Sequence, residues 1–135
     1  MKENFNVLIL GSDFNAYYMA RCYHELYHEK VNVIAKKAIG VVSYSQIVNF
    51  KEVADFENAD VFVATLNQYA KERKEDTILL IGTSDELVRL IIENKQKLDK
   101  KYVHNYPTLE ILNQVLVKDT FYQTFENCEF EIPKT

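Results

Sequence analysis

Two short, largely apolar runs, each stopped by a glycine, constrain this chain more than anything else in it: Phe5 to Leu10 (FNVLIL) before Gly11, and Ile78 to Ile81 (ILLI) before Gly82. Runs of that length and branching suit strands buried on both faces, as in a parallel sheet. From Phe14 to about His28 the period changes. Phe14, Tyr18, Cys22 and Leu26 recur every fourth residue on one stripe, while Arg21, Glu25 and Glu29 lie off it, which predicts a helix burying that stripe. Val31 to Ala35 is a second short strand, so the opening reads strand, glycine turn, helix, strand. The fold class expected is α/β, a Rossmann-like open and mostly parallel sheet with helices on both faces.

The remaining elements follow the same alternation. Segments 39–42 and 47–50 each read as a short strand or extended loop. Phe62, Thr65, Leu66, Tyr69 and Ala70 mark a helix of about four turns ending in Lys71-Glu72-Arg73-Lys74. After Gly82, Thr83 with Glu86 spells a capping box, Asp85 complements the helix start, and Leu87, Leu90, Ile91, Asn94 and Leu98 form the buried stripe. Tyr102-Val103-His104 is a fourth strand closed by Pro107. A helix from Leu109 to Leu116, a helical piece around Phe121 to Phe125 and a tail ending Pro133-Lys134-Thr135 complete the chain. At 135 residues there is one core's worth of sequence.

Charge and cysteine content exclude several functions. Sixteen Lys and Arg against 20 Asp and Glu give a net charge of −4, which argues against nucleic acid. Lys95, Lys97, Lys100 and Lys101 read as a solvated helix end. Cys22 and Cys128 lack metal spacing and a CxxC motif, and Cys22 reads as a small core residue. No run approaches the ~20 residues of a membrane span, and Met1 to Asn6 carry no signal-peptide core, which implies a cytoplasmic protein.

In open α/β sheets, ligands bind beyond the carboxyl ends of the strands, where helix starts present N–H groups. Two loops hold that position: Gly11-Ser12-Asp13-Phe14-Asn15 and Gly82-Thr83-Ser84-Asp85. The first fails as a dinucleotide fingerprint. Asp13 stands where the second glycine of GxGxxG belongs, and Ala16 where the third does; a carboxylate repels a diphosphate. Asp13 therefore caps the helix or meets a hydrogen-bond-donating group such as an amine, and Ser12 and Asn15 carry the same two readings. Arg21 reaches an anion near the helix start or pairs with Glu25. His24, His28 and His104 lack metal-ligand spacing, and no Walker A or nucleophile-elbow sequence is present.

Three segments carry a family resemblance. LILGSDFNAYYMARCYHE (residues 8–25) resembles the opening strand, loop and helix of ATP-grasp carboxylate–amine ligases of the D-aspartate ligase-like and carbamoyl-phosphate-synthase-like kinds, in the pattern Gly-x-Asp-x-Asn-Ala-Tyr-x-x-Ala-Arg. IGTSDELVRLIIENKQKL (residues 81–98) is similar to a later strand and helix of the family. KDTFYQTFENCEFEIPKT (residues 118–135) resembles the junction leading into the ATP-grasp domain.

The resemblance implies an N-terminal, pre-ATP-grasp domain: residues 1–117 as a Rossmann-like substrate-side domain and 118–135 as helix and tail leading onward. It implies an enzyme in the longer protein, one that makes an acyl phosphate from ATP and lets an amine displace phosphate, and no catalysis by this piece alone. Gly11, Ser12, Asp13, Phe14 and Asn15, with Gly82, Thr83, Ser84 and Asp85, correspond to loops facing an amino-acid or carboxylate substrate. Arg21 matches a motif arginine, and Lys118 a lysine that reaches ATP phosphates. ATP and Mg2+ would serve the longer enzyme and are not expected to bind this piece. Further implied are a downstream ATP-grasp domain as partner and a role in bacterial cell-wall cross-bridge synthesis. A non-catalytic cofactor-binding or interaction module, dimerising through exposed tyrosines, is the alternative.

Overall fold

Alternating strands and helices do what the patterning dictates in the computed structural model, which describes residues 4–129. The Pro133-Lys134-Thr135 tail and the first three residues lie outside them. Five strands, β1 (Phe5–Leu10), β2 (Val31–Ala35), β3 (Val48–Glu52), β4 (Thr77–Gly82) and β5 (Tyr102–Val103), form one sheet in the order β3-β2-β1-β4-β5. Every neighbouring pair is parallel, with Leu8 opposite Asn32 and Leu80. Four helices accompany it: α1 (Phe14–Tyr27), α2 (Gly40–Ser43), α3 (Ala59–Lys71) and α4 (Asp85–Asn94). This sheet unit closes at Asn105. A second unit begins at Tyr106 and contains α5 (Leu109–Leu116) and α6 (Lys118–Phe125). The 117/118 division read from the sequence falls between these two helices. Thr108 caps α5, and the Phe121 and Phe125 rings of α6 lie 4.8 Å apart.

The period of two splits the sheet's apolar side chains between two layers. Val7, Ile9, Val31, Val33 and Val48 pack with Ala16 and Ala20 of α1 and Val42 of α2. Leu8, Leu10, Ile34, Ile78 and Leu80 alternate with them and are buried too, as are Phe62 and Leu66 of α3 and Ile91 of α4. Burial of each such side chain contributes about 1.5–3 kcal/mol.

Several expectations need correction. The stripe Phe14, Tyr18, Cys22 and Leu26 is the outer face of α1, with Phe14 70% and Leu26 69% exposed, and Cys22 is an exposed residue. The buried face is Ala16 and Ala20. Small side chains let the helix lie close on β1 and β2, and large ones would hold it off. Segment 39–42 is neither strand nor extended loop, because Gly40–Ser43 is one helical turn. Thr83 does not cap α4. Ser84 does, its hydroxyl accepting from Leu87 N, while the Thr83 hydroxyl donates to the Leu10 carbonyl at 3.0 Å. Nor is Lys101 merely solvated: its ammonium donates to the Ala70 and Arg73 carbonyls at the end of α3.

Candidate functional site

Strand order places the site. From β1 the chain passes to β2 on one side, and later returns through α3 to β4 on the other, so the connections diverge between β1 and β4. A cleft of about 530 Å³ opens there, beyond the carboxyl ends of β1, β2 and β4. It is the crevice that this sheet topology creates for a ligand.

Gly11 makes the floor. Its φ of +118° is a conformation that L side chains rarely adopt, and a Cβ there would collide with the Thr83 hydroxyl. Its N–H donates to the Ile34 carbonyl at 3.0 Å, and Thr83 N donates to Leu10 O at 3.1 Å, so the loops after β1 and β4 are tied to neighbouring strands. Gly82 serves packing instead. A Cβ there would sit 3.1 Å from the Val88 nitrogen, so the bare backbone lets α4 close onto β4.

Two helix starts border the cleft. Asp13 caps α1, its Oδ1 accepting from Ala16 N at 2.9 Å, and Ser84 caps α4. Their positive ends attract an anion. Glu86 also lines the cleft, and its own backbone N–H and then the Ser84 hydroxyl hold its carboxyl below the usual carboxylate range. On the opposite wall Lys36 donates to Glu57 at 2.6 Å. That hydrogen bond, then the charge of Glu57, raises the Lys36 ammonium above its ordinary value. Ser12, 8% exposed, fixes the β2 end by donating to the Lys37 carbonyl at 2.7 Å. The result is a mainly apolar crevice that carries the charged groups Asp13, Lys36, Lys37, Glu57 and Glu86.

Of the residues expected at a site, Gly11, Ser12, Asp13, Thr83 and Ser84 come together here. Phe14, Asn15, Arg21, Gly82 and Asp85 do not line the cleft. Arg21 is exposed and donates to Glu25 at 2.7 Å, the surface-pair alternative of its two readings. Lys118 is the first residue of α6, in the second unit. Sequence reasoning missed Lys36, Lys37, Ile39, Phe56, Glu57 and Glu86. The lysines were findable, since they follow β2 at the same carboxyl edge that singled out the other loops. Phe56 and Glu57 come from the β3–α3 connection, where Asp55 adopts φ 55°, and no local pattern announced them.

Among the described residues no group of three His, Cys, Asp or Glu could hold a metal ion, and the cleft contains acids beside its lysines. These residues do not fit a magnesium–triphosphate by themselves. Likewise no helix among them is long and apolar enough to cross a membrane.

No family model matches the chain. It is similar to the D-aspartate ligase of Enterococcus faecium (strain Aus0004), 33% identical over 136 residues, covering 98% of this chain and 32% of that protein. The chain thus spans about a third of the length of the curated relative it matches. That similarity bears out the resemblance carried by the three segments.

Proposed function

We propose that this chain, a relative of about a third of a D-aspartate ligase, is the substrate-side domain of an ATP-dependent carboxylate–amine ligase. The cleft is the observation that supports the reading. In it, a substrate carboxylate lies toward Lys37 and the Ser84-capped start of α4, while a substrate ammonium lies toward Asp13 at the start of α1. Helix-start attraction contributes about 0.3–1 kcal/mol when exposed and up to about 2 when partly buried. ATP would supply the phosphoryl group that activates the carboxylate as an acyl phosphate, and an amine adding at the acyl carbon would release inorganic phosphate. Metal ligands and most nucleotide contacts belong, in this reading, to a downstream ATP-grasp domain, with Lys118 contributing one phosphate contact. D-Aspartate is the first substrate to test, and bacterial cell-wall cross-bridge synthesis in the cytoplasm is the setting proposed.

Calorimetric titration tests this directly. D-Aspartate is expected to bind the chain, and Asp13→Asn to weaken it at least fivefold while leaving the cap's acceptor oxygen in place. Asp13→Ala loses both the charge and about 1 kcal/mol of helix capping. Mg-ATP alone is expected to give no binding heat. Micromolar Mg-ATP affinity, or aspartate affinity indifferent to Asp13, would refute the assignment.

A second reading, an interaction module, is favoured by the exposed apolar face of α1, where Phe14, Tyr18 and Leu26 line up. Sedimentation across a concentration series tests it, and persistent monomer counts against self-association.

A further inference from the structure

On the α3 side of the sheet, away from the cleft and sharing no lining residue with it, lies a hollow of about 160 Å³ bordered by β2, β3 and the end of α3. Its floor is unusual for a parallel sheet. Asn32 and Asn49 are register partners on adjacent strands, and Lys51 follows opposite Ile34. Alternation turns these side chains away from the layer that buries Val31, Val33 and Val48. Above the floor stands Arg73, whose guanidinium rests on the Tyr69 ring at 4.3 Å. Tyr69 is itself held, its hydroxyl donating to Asn6 at 2.6 Å.

Arg73 is positioned without being neutralised. Its Nε is buried and meets no hydrogen-bond partner among the described residues. The ion pairs of those residues are Arg21–Glu25, Lys36–Glu57 and Arg89–Glu93. Glu72, which also borders the hollow, accepts instead from Gln68 at 2.8 Å. The hollow is thus lined by a guanidinium that joins none of these ion pairs, a charge that an anion there balances. The planar fork of arginine matches a carboxylate, and two amides and an ammonium can hydrogen-bond or screen the same group. The volume admits a carboxylate head and excludes a nucleotide.

We propose that Arg73, Lys51, Asn32 and Asn49 form a binding niche for a small carboxylate anion, separate from the cleft.

Residue-resolved NMR with acetate as the probe tests it. The Arg73 Nε–Hε and the Asn32 and Asn49 side-chain amide resonances should shift saturably, with a roughly millimolar dissociation constant. Lys51→Gln should weaken binding about threefold to fivefold, Arg73→Gln should abolish it, and Lys36→Gln in the cleft should leave it unchanged. Asn49→Ala, an exposed substitution, should also weaken it and serves if the Arg73 variant fails to fold. Shifts no larger than chloride gives at equal ionic strength would overturn the proposal. So would saturation by inorganic phosphate but not acetate, or saturation indifferent to both Lys51→Gln and Asn49→Ala. Because the readout is at Arg73, none of these outcomes bears on aspartate binding in the cleft.

Discussion

Replacing Gly11 with alanine strikes the floor of the cleft in two separable ways. A φ of +118° is strained for any residue with a Cβ, which costs about 1–3 kcal/mol. The new methyl also overlaps the Thr83 hydroxyl, which cannot swing freely because threonine is stiff about χ1. Moving it breaks the 3.0 Å bond to the Leu10 carbonyl, a further loss of about 1 kcal/mol. The sum is about 2–4 kcal/mol, or roughly 6–15 °C in Tm for a domain of this size. Chemical denaturation of Gly11→Ala in two backgrounds separates the parts. With Thr83→Ala already present, the overlap with the hydroxyl is gone, leaving the backbone strain and a 3.3 Å approach to the Cβ at position 83. The cost of Gly11→Ala should therefore fall by about 1 kcal/mol in that background. A cost below about 0.5 kcal/mol, or one identical in both backgrounds, would show that Gly11 is not held as described.

Three other outcomes follow from the same structure. Ser84→Ala should cost about 1 kcal/mol through the lost α4 cap, visible as a lower urea midpoint at constant m; no change would return the cap to Thr83. Leu26→Ala, at an outer position of α1, should stay within about 0.5 kcal/mol, whereas a loss of 2 kcal/mol or more would mean the face is buried. Tyr69 gives the alkaline limit. Burial pushes its hydroxyl from 10.0 up to about 12, so between those values the unfolded state has released a proton that the folded state keeps. Its contribution is complete below pH 10 and disappears as pH rises toward about 12. A pH series of melts followed by phenolate absorbance checks this, and Tyr69→Phe should lessen the slope over that window without abolishing it, because burial raises the Tyr102 hydroxyl as well.

How much of this was legible in the sequence depended on how each segment is buried. β1 was plain because a central parallel strand is apolar on both faces; ILLI marked β4 as well, although Leu79 on one of its faces is exposed rather than buried. α5 was read as Leu109 to Leu116, which are its bounds in the structure. α1 misled for a physical reason. Its core contact is made by Ala16 and Ala20, so hydrophobic size pointed to the opposite face. The short α2 and strand β3 lacked a long enough pattern to choose between states; their form comes from packing Val42 and Val48 into the layer with α1. At the site, the two glycine loops could be found from topology alone. Glu57 could not, because its place opposite Lys36 depends on where the β3–α3 connection passes in space.

The most direct test of the central claim is residue-resolved amide shift mapping of the chain titrated with D-aspartate. Saturable shifts are expected at Gly11, Ser12, Thr83 and Ser84, with Lys36 and Lys37 following. Saturable shifts confined to other surfaces, or no saturable shift at all, would contradict it.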